Sequence, residues 1–294
     1  KSGSINKCFE LLVQQQMVEA IGRHGGRTPA ALDEGWQEGL CLLRRIGANA
    51  RTITDSASKV PRDVARGEAA AGMCIDFYGR AEAEWAERQS GNTRRLRFVA
   101  PRGGTVLTAD PIMIFRGAPN RELAEAFVDF VLSESGQRLW NFRPGTPGGP
   151  ERHALRRLPV RRDMYGPAER RQMSDPDAEP YAQEAGFSYD PSLTARYFSL
   201  VRVLFRCMVI EPWPELREAW SAITAAGGPE ACPAAMAALA RLPFTYGEAG
   251  TAVTALDPHA PGNSQLLGLR RQREWTEFFR EQYRQARQLA QEGR

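Results

Sequence analysis

The chain lacks any run of about 20 apolar residues, so no segment reads as a membrane span. It lacks paired cysteines. Cys8, Cys41, Cys74, Cys207 and Cys232 are odd in number, widely scattered and never spaced Cys-x-x-Cys, which argues against a disulfide framework and a zinc knuckle. Histidine is scarce: His24, His153 and His259 lie far apart and none belongs to His-Glu-x-x-His. There is no Gly-x-x-x-x-Gly-Lys-Ser/Thr phosphate loop and no Gly-x-Gly-x-x-Gly dinucleotide fingerprint. A strong excess of one sign of charge is also missing. With 39 basic and 35 acidic residues, the formal net charge of +4 is too small to indicate nucleic acid. The more basic run 152–162 reads as a solvated connector.

What is present is an ordinary globular composition, 42% hydrophobic and 25% charged over 294 residues, enough for one large or two smaller domains with a sizeable core. No signal peptide is visible. The chain starts at Lys1 without an initiator Met, at what reads as the edge of a helix, so upstream sequence is expected.

Ile5, Cys8, Phe9, Leu12, Val13, Met17, Ala20 and Ile21 recur at helical spacing, and Gly25-Gly26 ends that helix. A second helix begins at Thr28-Pro29 with a stripe of Trp36, Leu40, Leu43 and Ile46. Strands are expected at 50–54, 70–77, 96–100, 105–108 and 112–115. The run 70–77 is apolar enough to be buried on both faces of a parallel sheet, and alternation of strands with helices implies an α/β layer. An amphipathic helix follows Asn120, its inner face being Leu123, Ala124, Phe127, Val128 and Val131. Beyond about residue 165 the character turns helical. It ends in a long helix over 264–291 whose stripe of Trp275, Phe278, Phe279, Tyr283, Ala286 and Leu289 reads as core packing in preference to a partner groove.

Four places can carry chemistry. Ser2-Gly3-Ser4 at a helix start is either an oxygen-binding cradle of free amides and hydroxyls or a plain cap. The loop Asp55-Ser56-Ala57-Ser58-Lys59, between an expected strand and a helix, is either a ligand loop or an ordinary capped turn. Ser56-x-x-Lys59 also matches a serine-acylase pattern, without the Lys-Thr-Gly or Ser-Asp-Asn that would complete it. Asp76 and Tyr78, at an expected strand end, would share a face. There they are either hard oxygen ligands for a cation such as ferric iron or hydrogen-bonding residues.

The ordered set Ser2-Gly3-Ser4, the Trp36 helix, Ala48-Asn49-Ala50, Asp55 to Lys59, Gly67-Glu68-Ala69-Ala70-Ala71-Gly72, Asp76-Phe77-Tyr78-Gly79, Pro101-Arg102-Gly103-Gly104-Thr105, Asp110-Pro111-Ile112, Gly117-Ala118-Pro119-Asn120 and Leu132-Ser133-Glu134-Ser135-Gly136-Gln137 resembles the extracellular solute-binding proteins of ABC importers, of the ferric-iron, polyamine and thiamine type. The resemblance spans residues 1 to about 140. It implies an α/β, periplasmic-binding-protein-like lobe with a hinge crossover, followed by a mostly helical C-terminal region. Residues 1–104 would be the second lobe and 105–164 the hinge return with part of a first lobe whose early portion is not in this chain. Residues 165–294 would be the helical region.

By that resemblance the protein is not an enzyme and needs no cofactor. It captures a small solute, ferric iron with an anion being one option, and delivers it to a membrane permease in the periplasm, touching the membrane only through that partner. The solute-binding residues would be Ser2, Gly3, Ser4, Asp55, Ser56, Ser58, Asp76 and Tyr78, with Tyr78 and Asp76 as metal ligands. Where iron-binding members carry a second tyrosine, this chain has Gly79. The alternatives are a serine-type acylase using Ser56 and Lys59, and a scaffold that binds partners through the helical region.

Overall fold

The computed structural model describes residues 3–91, 93, 95–101, 104–106, 110–181 and 187–293, the side chain of Ser4 excepted. In chain order its α-helices are α1 (Gly3–Arg23), α2 (Pro29–Asn49), α3 (Lys59–Ala65), α4 (Asp76–Gln89), α5 (Arg121–Leu132), α6 (Glu134–Asn141), α7 (Pro167–Gln172), α8 (Pro191–Thr194), α9 (Phe198–Phe205), α10 (Trp213–Ala225), α11 (Pro233–Ala240), α12 (Ala249–Leu256) and α13 (Gln265–Gln291). Two compact units result. One comprises Lys1–Ser56, Gly103–Thr105 and Phe187–Arg294; the other comprises Ala57–Arg102 and Val106–Gly186. The expected segments 1–104, 105–164 and 165–294 are distributed over both.

The first unit is a helical bundle. α1 and α2 form a hairpin, as the glycines and Thr28-Pro29 suggested. Gly25 takes a left-handed φ of 68°, and the Gly26 N–H reaches back to the Ile21 carbonyl at 3.0 Å, closing α1. Thr28 then caps α2 by accepting from the Ala31 N–H, with Pro29 in the first turn. The core gathers Val13 and Met17 of α1, Trp36, Leu40 and Leu43 of α2, and the buried faces of α9 to α13. Trp275, Phe279, Tyr283 and Ala286 of α13 are all buried there, so the aromatic stripe is core.

Arg44 is fully buried, yet among the described residues it has no carboxylate partner. Its guanidinium donates to the carbonyls of Leu239 (2.5 Å), Ala240 (2.9 Å) and Arg241 (3.0 Å) at the C-terminal end of α11, the Ala240 carbonyl also accepting from Gln37 at 3.2 Å. A cation there also answers the negative end of the helix dipole.

The second unit is the smaller one. α5 is followed at once by α6. Ser133 caps the latter through the Gly136 N–H, and Gly136 lies so near α5 that an added Cβ would meet the Phe130 carbonyl oxygen at 2.1 Å. Gln137 is buried, donating to the Val131 carbonyl and accepting from the Val160 N–H, each at 2.7 Å. A small core of Phe142, Met164 and Met173 lies beyond, joined by a bridge between Phe142 and Met173.

The α/β expectation is not met among the described residues, where that bridge is the only β pairing and the secondary structure is mostly helical. Residues 52–54, 71–75, 95–100 and 111–115 run without ladders, and part of 105–108 falls outside the described set. Apolar runs report an affinity for burial. A strand also needs a neighbour in register to take its amides and carbonyls. Residues 71–75 are half-buried or exposed, not covered on both faces. On α5, Leu123 and Phe127, expected to point inward, are exposed.

Candidate functional site

The expected binding residues divide between the units. Ser2 lies outside the described residues. Gly3 opens α1, and Ser4 follows it in the first turn. Asp55 and Ser56 end the first unit's N-terminal stretch; Asp55 is exposed and the Ser56 N–H donates to Thr54 Oγ1 at 3.1 Å. Ser58 precedes α3 in the second unit, where its carbonyl accepts from Arg62 at 3.1 Å. Lys59 pairs its ammonium with Asp63, one turn on.

Asp76 and Tyr78 do not end a strand: they open α4. Two residues apart on a helix they point to different sides, so the shared face inferred from strand alternation is lost and the pair does not converge on one ion. Asp76 instead pairs with Arg80 at 3.5 Å and sits where the helix dipole favours a carboxylate. Tyr78 is 37% exposed and stacks beside Phe77, with ring centroids 4.3 Å apart. Gly79, where a second tyrosine would stand, is buried. A Cβ there would lie 2.6 Å from the Phe98 ring and 3.0 Å from Cys74 Sγ, so no larger side chain fits without repacking. Among the described residues no group of three His, Cys, Asp or Glu side chains could hold a metal ion.

Behind the start of α4 lies a polar network that the sequence did not announce. Arg156 donates to Glu84 Oε2 (2.8 Å), the Arg80 carbonyl (3.1 Å), the Ser174 carbonyl (3.2 Å) and both oxygens of Asp175 (2.5 and 3.1 Å). Desolvation works against its charge, but Asp175 and Glu84 outweigh it and hold the pKa above the ordinary arginine value. Its φ of 58° makes it the one positive-φ residue other than glycine among those described. Asn141, fully buried, braces Asp175 by accepting from its N–H at 3.1 Å and donating to its carboxylate at 3.1 Å. Arg157 pairs with Asp110 and lies 4.1 Å over the Phe77 ring. The basic run 152–162 is therefore not merely a solvated connector: two of its arginines fix α4. Local spacing gives no hint of this, because Glu84 and Asp175 lie far from Arg156 in sequence.

A second network lies under the start of α1. Asn6, Glu10 and Gln14 are buried and four residues apart, a polar stripe that helical periodicity could have exposed. Glu10 accepts from Tyr189 (2.7 Å), Thr194 (2.8 Å) and Lys7 (2.8 Å); Gln14 binds Thr194 Oγ1 and both backbone groups of Asp190. Desolvation lowers the Lys7 pKa, but its bonds to Glu10 and Tyr189 prevail and hold the ammonium above its usual value. These groups lock α1 to the segment ahead of α8.

Residues 7–152 match the family of bacterial extracellular solute-binding proteins. A putrescine/cadaverine-binding protein of Pseudomonas aeruginosa is 30% identical over 139 residues, covering 45% of this chain and 38% of that protein. The chain thus spans well under half the length of this relative. No solved structure matches. The matched family consists of binding proteins, not enzymes; they need no cofactor, because the bound molecule is the cargo. The matched stretch takes in α1 to α6, including both sides of the Asp55–Lys59 loop and the start of α4. No helix among the described residues is long and apolar enough to cross a membrane.

Proposed function

We propose that this protein captures a small organic cation of the diamine class and delivers it to the permease of an ABC importer on the outer side of the cytoplasmic membrane. The observation that carries the reading is the match of residues 7–152 to the solute-binding family, joined to a relative named for putrescine and cadaverine. Diamine chemistry suits what α4 offers better than ferric iron does. An ammonium is bound by a carboxylate and an aromatic face, which Asp76 and the exposed Tyr78 ring provide separately. Ferric iron wants several converging anionic oxygens, and Gly79 supplies none. Ser2, Gly3, Ser4, Asp55 and Ser56 in the first unit, and Ser58 in the second, are further proposed solute-binding residues, each considered within its own unit.

Calorimetric titration of the ligand-stripped protein with putrescine, cadaverine and ferric citrate tests this. The expected result is saturable binding of a diamine, weakened about tenfold by Tyr78→Ala through loss of the cation–π contact. Ferric binding without diamine binding would restore the metal reading, and binding of neither would remove the diamine assignment.

A further inference from the structure

A cavity of about 380 Å³ lies between α2 and the connection from α11 to α12, both in the first unit. Asp33, Trp36 and Gln37 line it from α2; the other lining residues come from 241–248, beyond the stretch 7–152 that matches the solute-binding family. The cavity is therefore built largely by the helical region that the family match leaves unexplained, and it shares no residue with the solute-binding set proposed above. Its volume is that of a small-molecule site.

Burial and charge order its lining. Leu242, Pro243 and Phe244 are half-buried and apolar, whereas Gln37, Arg241 and Glu248 are exposed. Trp36 alone among the lining residues is fully buried, packed against the rings of Tyr197 and Tyr246 with centroids 5.7 and 5.8 Å away. Its indole N–H has no acceptor among the described residues. A buried donor without an acceptor is costly, and an anionic oxygen in the cavity would relieve it. Asp33 and Glu248 are each fixed through one oxygen. Asp33 Oδ1 accepts from the Tyr246 N–H at 2.8 Å, and Glu248 Oε2 accepts from the N–H and hydroxyl of Thr245 at 2.8 and 3.0 Å. The second oxygen of each is left for a cation. Arg241 makes no ion pair among the described residues and offers its planar fork to a carboxylate. It also opposes a dication, so a diamine does not suit this cavity. Asp33 and Trp36, three residues apart, share one face of α2 and set an anion beside a donor.

We propose that this cavity is a second small-molecule site, which takes a zwitterion of the α-amino-acid class with an apolar side chain. The carboxylate is met by Arg241 and the Trp36 N–H, the ammonium by Asp33 and Glu248, and the side chain by Leu242, Pro243 and Phe244.

Calorimetric titration of the full chain with leucine, methionine and phenylalanine tests the proposal. The expected result is saturable binding of at least one of them. Leucinamide, which lacks the carboxylate, and 4-methylpentanoate, which lacks the ammonium, should each bind about tenfold or more weakly than leucine. Arg241→Gln should narrow the difference between leucine and leucinamide, and Glu248→Gln that between leucine and 4-methylpentanoate. Both side chains are exposed, so these variants keep the core intact. In parallel, the indole N–H resonance of Trp36, assigned by its loss in Trp36→Phe, should shift as the amino acid saturates the protein. No saturable binding of any of the three amino acids overturns the proposal. So does an affinity that neither Arg241→Gln nor Glu248→Gln changes, or a Trp36 resonance that stays in place at saturation.

Discussion

Gly35 of α2 lies directly against Met17 of α1: a Cβ on Gly35 would stand 2.3 Å from Met17 Cα and 2.9 Å from both Met17 N and the Gln16 carbonyl oxygen. One turn on, a Cβ at Gly39 would meet Val13 Cα at 2.6 Å. The two glycines are a groove into which the α1 backbone settles, and that approach brings Met17 and Val13 into the main core. Both neighbours are main-chain atoms, which cannot rotate aside. Gly35→Ala is expected to destabilise the first unit by about 3 kcal/mol, at the upper end of overpacking costs and in spite of alanine's better helix propensity. Urea denaturation followed by far-UV circular dichroism measures it. An unchanged midpoint would mean that the two backbones do not touch at this crossing.

Arg44 is the next place where a single change decides stability. Its charge is buried against the carbonyls that end α11 and lies 5.5 Å from the Phe279 ring. Arg44→Leu removes the cation and leaves the Leu239 and Arg241 carbonyls without their donor, while the Ala240 carbonyl keeps Gln37. Each unmet carbonyl costs about 1 kcal/mol or more, so a loss of about 2 kcal/mol is expected. Arg44→Lys recovers little of it, because one ammonium cannot reproduce the fork that meets three acceptors. Thermal unfolding of the two variants should therefore show similar losses. Full recovery in the lysine variant would reduce the contact to simple charge.

These two residues also mark how far the sequence could be read. The α1–α2 hairpin was legible because its signals are local: a left-handed glycine, a Thr-Pro start and an apolar stripe at helical spacing. The core role of Trp275, Phe279 and Tyr283 was legible for the same reason. The strands were not. A run such as 71–75 carries its apolar character alone, but pairing depends on segments elsewhere in the chain, and the same residues lead into the first turn of α4. That one change of secondary structure moved Asp76 and Tyr78 apart. Arg156 and Asp175, like Arg44 and the end of α11, meet only through tertiary contact, so no spacing rule could have found them.

Arg156 links three separated pieces of the second unit, reaching Glu84 and the Arg80 carbonyl on α4 as well as Asp175 and the Ser174 carbonyl. Its side chain and that of Asp175 are only 12% and 10% exposed. Arg156→Ala takes the bidentate partner from a buried carboxylate, leaving it Asn141 and the more distant Arg80 at 3.9 Å, and is expected to cost about 3 kcal/mol, the lower end of breaking a buried pair. Relief of the positive φ does not offset it, since alanine resists that conformation as well. Arg156→Gly removes the conformational penalty but not the lost pairings. Limited proteolysis should show faster cleavage between α6 and α7 in both variants, with the glycine variant no more resistant than the alanine one. Wild-type resistance in Arg156→Gly would locate the role of this position in its backbone.

Tyr283 sets the behaviour at alkaline pH. It is fully buried on α13, donates its hydroxyl to the Met208 carbonyl at 2.5 Å, and is held well above the usual tyrosine value by desolvation. A pKa raised in the folded state means that the folded protein keeps a proton which the unfolded chain gives up near pH 10. The stability it contributes is complete below that pH and declines as the pH rises toward the folded value. Tyr165, Tyr189 and Tyr197 are raised as well, with burial the first cause in each, and Lys7 is raised by its bonds to Glu10 and Tyr189, so all act in the same direction. The melting temperature is therefore expected to fall from about pH 9.5 upward. Tyr283→Phe removes one proton from the balance, which flattens the slope by about 1.4 kcal/mol per pH unit in that window. The variant should be less stable than the parent at neutral pH, through the unmet Met208 carbonyl, and should close that gap as the pH approaches 11. Parallel curves for the two proteins across this range would show that the Tyr283 hydroxyl ionises as readily folded as unfolded, which its burial forbids.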